Sequence, residues 1–213
     1  MSKNLLSVCI CSVLWVSRVG GQVSDEPSWI WSAHFTVSLA VNDTDWGVRH
    51  PIYGGGNVTW ETLSGTISQG IHAQGGIELR RGKLGFRGTL GVLPQELTEE
   101  APARKEGFSL LLGGFSVVLY PRGGSPVRVQ PYLQGGAGGQ KAMGDLDNTG
   151  FFLSGAAGVV TSLTGRVSLD GGVQVLRLKY TQVDLGNNIQ KDLTAHPVSL
   201  FLGVRLRVKG GPP

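Results

Sequence analysis

The residues of this sequence best suited to chemistry are charged side chains that alternate with apolar ones. In the run VSLFLGVRLRV, Arg205 and Arg207 stand between leucines and valines at every second position. Glu78, Arg87 and Asp170 lie in similar alternating runs. A β-strand turns successive side chains to opposite faces, so such charges gather on one face and the apolar residues on the other. Charges gathered on one face either neutralise one another or select ions.

If consecutive strands run in opposite directions around a closed sheet, seven charged residues fall at a similar depth inside it. They are Glu78, Arg87, Arg128, Arg166, Asp170, Arg205 and Arg207. A buried charge without a partner is costly, which favours a paired network that fills a narrow lumen. Because arginines outnumber acids in this set, a small gate or anion-selective constriction is the alternative.

A second set of residues has the types of an acid, a base and a nucleophile. Asp192, His196 and Ser199 lie near the beginning of the last apolar run. Residue types without the matching geometry do not establish a catalytic triad. The sequence has no zinc-ligand spacing, phosphate-binding loop or paired catalytic carboxylates. We therefore expect no catalytic activity, no metal site and no cofactor.

The N-terminal segment, residues 1–21, has the features of a signal peptide. Lys3 precedes the apolar run LLSVCICSVLWV, and small residues at the end of the segment, up to Gly21, allow cleavage. Cys9 and Cys11 are the only cysteines, so we expect no disulfide in the mature chain. Only 16% of the 213 residues are charged, and the arginines are scattered singly, so no nucleic-acid partner is expected.

After a short leader (22–28), apolar and polar residues alternate along the whole region 29–208, which a tail (209–213) follows. In WSAHFTVSLAVN, for example, Trp31, Phe35 and Leu39 would face one way and His34 the other. Such segments are 12 to 17 residues long, close to the length of a strand that crosses a membrane. We predict eight strands, at residues 29–42, 68–80, 83–94, 107–121, 126–139, 150–162, 165–181 and 195–208.

The connections between these segments alternate between long and short, which is typical of bacterial outer-membrane barrels. In hydrocarbon every backbone polar group must be paired within the protein, so strands cross a membrane only as a closed barrel. The sequence therefore predicts an all-β fold, a closed eight-stranded antiparallel up-and-down transmembrane barrel in a bacterial outer membrane. The long connection 43–67 carries Trp46, Tyr53 and Trp60, which would form a hairpin above the membrane, bind a partner or pack on the rim.

Two further features concern the strand faces. Trp29, Trp31 and Tyr120 fall near the predicted periplasmic rim, and Phe151 and Tyr180 near the external rim, where aromatic girdles belong. The segment FSLLLGGFSVVLY is apolar on both faces, and segment 165–181 changes phase after its glycine pair. A bulge would explain the change of phase, and so would an apolar patch in the upper lumen able to hold a hydrophobic ligand.

The mature chain resembles the small outer-membrane barrels of the OmpA/OmpX/Opa-like β-barrel domain. QPYLQGGAGG (130–139) is similar to a Pro-Tyr-x-x-x-Gly-x-Gly stretch of that group. The last strand resembles the signal that the barrel-assembly machinery recognises, with Gly203, Leu206 and Val208 at the matching places. The family usually has aromatic residues at the last two of these places. The resemblance implies that membrane lipid and the assembly machinery are partners.

We expect a structural, adhesive or narrow passive-transport role, with loops 43–67 and 95–106 contacting an extracellular partner or ligand. The first alternative is a soluble lipocalin-like barrel that binds a hydrophobic ligand. It requires an apolar lumen and a polar exterior, so Phe35, Leu84, Val129 and Leu202 would point inward. The second alternative, which rests on the enzymes known among small barrels, is a lipid-modifying outer-membrane enzyme.

Overall fold

The computed structural model describes residues 29–54, 57–100, 104–122, 128–144, 148–184 and 190–209. The predicted signal peptide (1–21), the leader (22–28) and residues 210–213 of the tail lie outside the described residues. Within the described ranges, no helix has the length and apolar character needed to cross a membrane. The strands are β1 (Ile30–Ala40), β2 (Thr44–Gly54), β3 (Asn57–Gln69), β4 (Ile71–Arg81), β5 (Leu84–Glu99), β6 (Arg104–Leu119), β7 (Val129–Gly144), β8 (Thr149–Ser162), β9 (Val167–Asp184), β10 (Gln190–Ala195) and β11 (Val198–Lys209).

Eight of these strands close into one antiparallel barrel, in the order β1-β4-β5-β6-β7-β8-β9-β11 and back to β1. Each of the eight predicted segments overlaps one strand of this wall, so the predicted fold class is confirmed. Every wall strand has a hydrogen-bonded neighbour on both sides, which leaves no sheet edge. The short turn between β4 and β5 contains Gly82, whose φ of 58° lies in the left-handed region that glycine adopts without strain.

Three further strands lengthen the wall on the side of the long connections. The end of the barrel with the long connections is called here the upper end. The hairpin β2–β3 continues the sheet because β3 pairs with the upper end of β5, and β10 pairs with the upper end of β9. Strand β10 also contacts β2. The Asn42 side-chain amide donates to the His196 carbonyl at 3.2 Å, and the His196 N–H donates to the Thr44 hydroxyl at 3.2 Å. The connection 43–67 is therefore a hairpin, one of the alternatives that its sequence left open.

The two faces of the barrel wall separate apolar from polar side chains. The four residues that would point inward in a lipocalin-like barrel point outward. Phe35 is 56% exposed, Leu84 48%, Val129 43% and Leu202 66%. In contrast, the inward-facing side chains of His34, Arg87 and Arg205 are all buried. This arrangement is the reverse of a soluble lipocalin-like barrel, so the structure contradicts that alternative.

The exposed apolar residues form a band around the barrel. Outward positions are apolar or glycine from Leu84 to Val92 on β5, from Leu111 to Leu119 on β6 and from Leu200 to Val208 on β11. Nine residues of a strand tilted by about 40° span about 23 Å, close to the ~25 Å apolar band of membrane barrels. Above the band, the outward positions include Glu96 on β5 and Lys105 on β6, which form an ion pair at 2.8 Å.

The upper part of the lumen contains an apolar core. Strand β9 pairs with β8 and β11 without a register shift, and Leu176, Leu178 and Tyr180 continue the inward face that begins with Asp170. Its pairing with β10 shifts register only beyond Tyr180, past the change of phase. The change of hydrophobic phase therefore marks an apolar upper lumen and not a bulge. The upper core contains Trp46, Ile67, Leu93, Leu97, Phe108, Leu110, Leu112, Ala142, Phe152, Leu176, Leu178, Tyr180, Val183, Leu193 and Ala195.

Two aromatic residues differ from the predicted rim girdles. Trp29, Trp31 and Phe151 are exposed, as girdle residues must be, but Tyr120 and Tyr180 are buried inside the lumen. Both tyrosines occupy inward positions of the alternation, and both hydroxyls are hydrogen-bonded, Tyr120 to Glu78 and Tyr180 to Gln95. A hydroxyl that finds an acceptor can be buried with its ring, so these two side chains fill the lumen.

Candidate functional site

The candidate site is a layer of four charged side chains across the periplasmic half of the lumen, called here the charged layer: Glu78, Arg87, Asp170 and Arg205. They come from β4, β5, β9 and β11, and each occupies an inward position of its strand. Glu78 lies directly opposite Arg87 in the β4–β5 register, while Asp170 is next to Gly203, two residues from Arg205. The strand registers therefore bring together side chains that are as much as 127 residues apart in sequence.

The Glu78 carboxylate is the centre of the charged layer. Its Oε2 accepts hydrogen bonds from Arg87 Nε at 3.0 Å and Nη2 at 2.8 Å, a two-bond contact with one guanidinium. Its Oε1 accepts from Arg205 Nη1 at 3.1 Å and from the Tyr120 hydroxyl at 2.6 Å. Four donors on one carboxylate satisfy its acceptor capacity, which is the condition for burying a charged group.

Asp170 completes the charged layer on the opposite wall. Its Oδ2 accepts from Arg205 Nη2 at 2.8 Å and lies 3.7 Å from Arg87 Nη2. Its Oδ1 accepts from the Tyr132 hydroxyl at 2.8 Å. Arg205 thus bridges the two acids. Tyr120 donates a hydrogen bond to Glu78, and Tyr132 donates one to Asp170.

The charged layer is electrically balanced and closed to solvent. Two arginines face two carboxylates, and the four side chains are between 0% and 7% exposed. The Arg205 guanidinium lies 5.9 Å from the Tyr120 ring centre and 6.0 Å from that of Tyr132, within the range of cation–π attraction. The aromatic rings fill the space around the ions, so the layer occupies the lumen cross-section as a plug.

The other three predicted residues are placed differently. Arg128 and Arg166 are exposed, because Arg128 precedes β7 and Arg166 belongs to the turn between β8 and β9. Their predicted position in the lumen is therefore wrong. Both were assigned by extending the alternation one residue beyond the beginning of a strand. Arg207 is half-buried on the inward face below Arg205, at the periplasmic rim, and its backbone N–H donates to the Arg166 carbonyl at 2.8 Å.

Several residues that contact the charged layer were not assigned to the predicted charge network. Arg80 donates to Gln130 at 2.6 Å and places its guanidinium 3.9 Å from the Tyr120 ring centre. Gln134 accepts from Arg87 at 2.8 Å. Tyr120 and Tyr132 occupy positions that alternate with the outward residues of β6 and β7. This alternation in the sequence could have placed both side chains in the lumen. It was outweighed for Tyr120 by the expectation that aromatic residues near a strand end belong to a girdle.

The lumen is also closed above the charged layer. At mid-height it contains a cavity of about 10 Å³, room for roughly one water molecule, and the apolar upper core follows. Within the described residues, no group of three or more His, Cys, Asp or Glu side chains is arranged to hold a metal ion. The lumen is thus filled at three successive levels: charged, polar and apolar.

The possible catalytic set is divided between different environments. The Asp192 carboxylate lies 3.0 Å from Lys179 Nζ on the exposed side of the wall. His196 is exposed, whereas Ser199 is buried on the inward face of β11. A base and a nucleophile that face different sides of the wall are poorly placed for proton transfer.

No family model matches this chain, and no curated protein matches it. Among solved structures, it is similar to the outer membrane protein OprG from Pseudomonas aeruginosa. The two are 13% identical over 85% of this chain and 96% of that chain, with a TM-score of 0.60. It is also similar to the outer membrane protein AlkL, solved by solid-state NMR in DMPC lipid bilayers, with 15% identity, 90% and 96% coverage and a TM-score of 0.50.

These matches establish the fold. The chain has the architecture of the small eight-stranded outer-membrane barrels, as its sequence resemblance implied. The predicted bacterial outer-membrane location agrees with both matches, and with the apolar band around the wall.

Proposed function

We propose that the chain is an integral outer-membrane protein with a sealed lumen, which acts through its extracellular surface in a structural or adhesive role and has no catalytic activity. The observation that carries this proposal is the filling of the lumen at three levels. A conducting barrel of this size would need a continuous polar path, and here the apolar upper core lies directly above the polar levels.

The extracellular part of the barrel favours a surface role. The upper core packs β2, β3 and β10 onto the extended ends of β5, β6 and β9, so the wall continues above the apolar band. On the outside of the hairpin, Trp60 is 61% exposed and Val58 is 53% exposed, and the Arg49 guanidinium lies 5.8 Å from the Trp60 ring. An exposed aromatic residue beside an arginine on a rigid wall is typical of contact surfaces.

The absence of catalysis is proposed from the environments of the candidate residues. Asp192 is paired with Lys179, and His196 and Ser199 are on opposite sides of the wall. An assay of deacylation or acyl transfer on outer-leaflet lipid tests this part of the proposal. Turnover that disappears in Ser199→Ala would contradict it.

Conductance tests the sealed lumen. Purified protein, refolded and inserted into planar lipid bilayers, should give no stable conductance steps. Steps that appear with the folded protein and disappear after heat unfolding would show narrow passive transport instead. Swelling of protein-containing liposomes in small neutral solutes detects the same alternative without an applied voltage.

A binding assay tests the surface role. Vesicles that contain the protein, with the long connections outward, are applied to immobilised cells or matrix proteins. We expect the double variant Arg49→Ser with Trp60→Ser to lose adhesion. Lys83→Ser, on the opposite rim of the barrel, is the matched control and should adhere as strongly as the unchanged protein. Equal adhesion of all three proteins, or none, would contradict an adhesive role of this hairpin.

A further inference from the structure

Polar groups without a hydrogen-bond partner collect at mid-height in the lumen, between the charged layer and the upper core. Both ring nitrogens of His72 and the amide oxygen of Gln174 are buried and make no hydrogen bond to any residue that the structure describes. His72 is 3% exposed and Gln174 is 5% exposed. An unpaired buried polar group loses its hydration without compensation, so such groups in folded proteins normally bind ordered water.

These two side chains line the same cavity. His72 on β4 and Gln174 on β9 project from different parts of the wall, and the cavity that they share is also lined by Gln74, Thr89 and Ser154. Its volume of about 10 Å³, measured as the space open to the centre of a water molecule, is near the lower limit for holding one water. A water site also needs two to four polar partners, and the lining supplies them.

The backbone next to the cavity is shaped around the His72 ring. A Cβ atom added at Gly91 would lie 2.8 Å from His72 Nε2 and 2.9 Å from the Gln74 Cβ. The glycine at this inward position therefore allows the imidazole to reach the cavity. On the side of the upper core, Leu112 and Leu176 form the apolar end of the cavity.

We propose that this cavity is a water-binding site in which one ordered water bridges the His72 imidazole and the Gln174 amide oxygen. The water donates one hydrogen bond to Gln174 Oε1. Neutral imidazole offers one N–H donor and one nitrogen acceptor. The water therefore either accepts a hydrogen bond from the N–H of His72 or donates its second hydrogen to the other ring nitrogen. The remaining capacity of the water is directed at the neighbouring amide and hydroxyl side chains. The bridge joins β4 to β9 across the lumen.

The direction of a stability change tests this inference. The variants are His72→Leu and Gln174→Met, which keep the side-chain volume nearly unchanged, and their double variant. Unfolding by urea is followed in lipid vesicles. If a water bridges the two groups, each single variant removes one hydrogen-bond partner of the bound water and breaks the bridge. Each should then reduce the ratio of folded to unfolded protein by about tenfold.

The double variant should lose less than the two single losses combined, because no unpaired partner remains. If no water is bound, each single variant removes an unpaired polar group and shifts the urea midpoint upward, which would overturn the proposal. Leu112→Met, a swap of similar volume in the same cavity, is the matched control for packing and should leave the midpoint nearly unchanged. A crystal structure at a resolution that shows waters should have density within hydrogen-bond distance of both groups, and a cavity without density would also overturn the proposal.

Discussion

The charged layer should make the stability of the barrel sensitive to a single change of charge. In the unchanged protein, Glu78 and Asp170 balance Arg87 and Arg205, so the buried net charge of the layer is zero. Glu78→Gln keeps the size and shape of the side chain but removes one negative charge. Two buried arginines would then share a single carboxylate, Asp170, which lies 2.8 Å from one and 3.7 Å from the other.

The magnitude follows from the burial of the group. Removing one member of a fully buried ion pair costs about 3–5 kcal/mol, because the partner is left charged and without solvent. Glu78 is 1% exposed and accepts four hydrogen bonds, so we expect Glu78→Gln to lower the free energy of unfolding by an amount in this range. The double variant Glu78→Gln with Arg87→Gln restores neutrality. Its loss should be smaller than the sum of the single losses by about 1–3 kcal/mol.

The assay is equilibrium unfolding by urea in lipid vesicles, with the folded fraction read from the different gel migration of folded and heat-unfolded barrels. Arg128→Gln is the control, because it also removes one charge and repeats the Arg87→Gln change at an exposed arginine outside the lumen. It should not shift the urea midpoint. A midpoint for Glu78→Gln equal to that of the control, or strictly additive losses in the double variant, would refute the idea of a coupled buried layer.

Three further predictions concern the wall and the upper core. Leu202→Arg, near the middle of the apolar band, should cost about 2–4 kcal/mol in vesicle unfolding, whereas Val208→Arg near the rim should cost about 0–1 kcal/mol; equal losses would argue against a membrane around this band. Gly203→Ala should impair folding, because its Cβ would lie 2.3 Å from the Phe35 carbonyl oxygen. Gly135→Ala has open space around the added Cβ and should fold normally. Equal folded yields of the two variants would show that the wall adapts to the added methyl group. Trp46→Ala should lower the free energy of unfolding by about 3–5 kcal/mol and expose the β2–β3 hairpin to protease, because Trp46 is buried in the upper core. Trp60→Ala, at an exposed residue, should leave protease resistance unchanged. Equal resistance of the two variants would contradict a packed upper core.

The eight wall strands and their two faces were predictable because a period of two is a local property. Phe35 and Leu202 on one parity, and His34 and Arg205 on the other, need only the geometry of a strand to be assigned to opposite faces. The sequence left a soluble lipocalin-like barrel as an alternative, and the structure excluded it by turning Phe35 and Leu202 outward and His34 and Arg205 inward.

The membership of the charged layer was predictable only in part. Glu78, Arg87, Asp170 and Arg205 lie well inside their strands, where parity determines the direction of a side chain. Arg128 and Arg166 lie just beyond strand ends, where the alternation stops and a side chain is free to turn toward solvent. The ends of strands depend on pairing with a neighbour, which a single sequence does not show.

By itself, the sequence determined which residues share a face, because alternation is set within each strand. The tertiary structure alone decided the contacts across the lumen: Tyr120 with Glu78, Arg205 with Asp170, and the side chains of β2, β3 and β10 that build the upper core. These contacts depend on the stagger between strands that are far apart in the chain. The stagger is fixed only when the barrel closes and every strand must satisfy two neighbours at once.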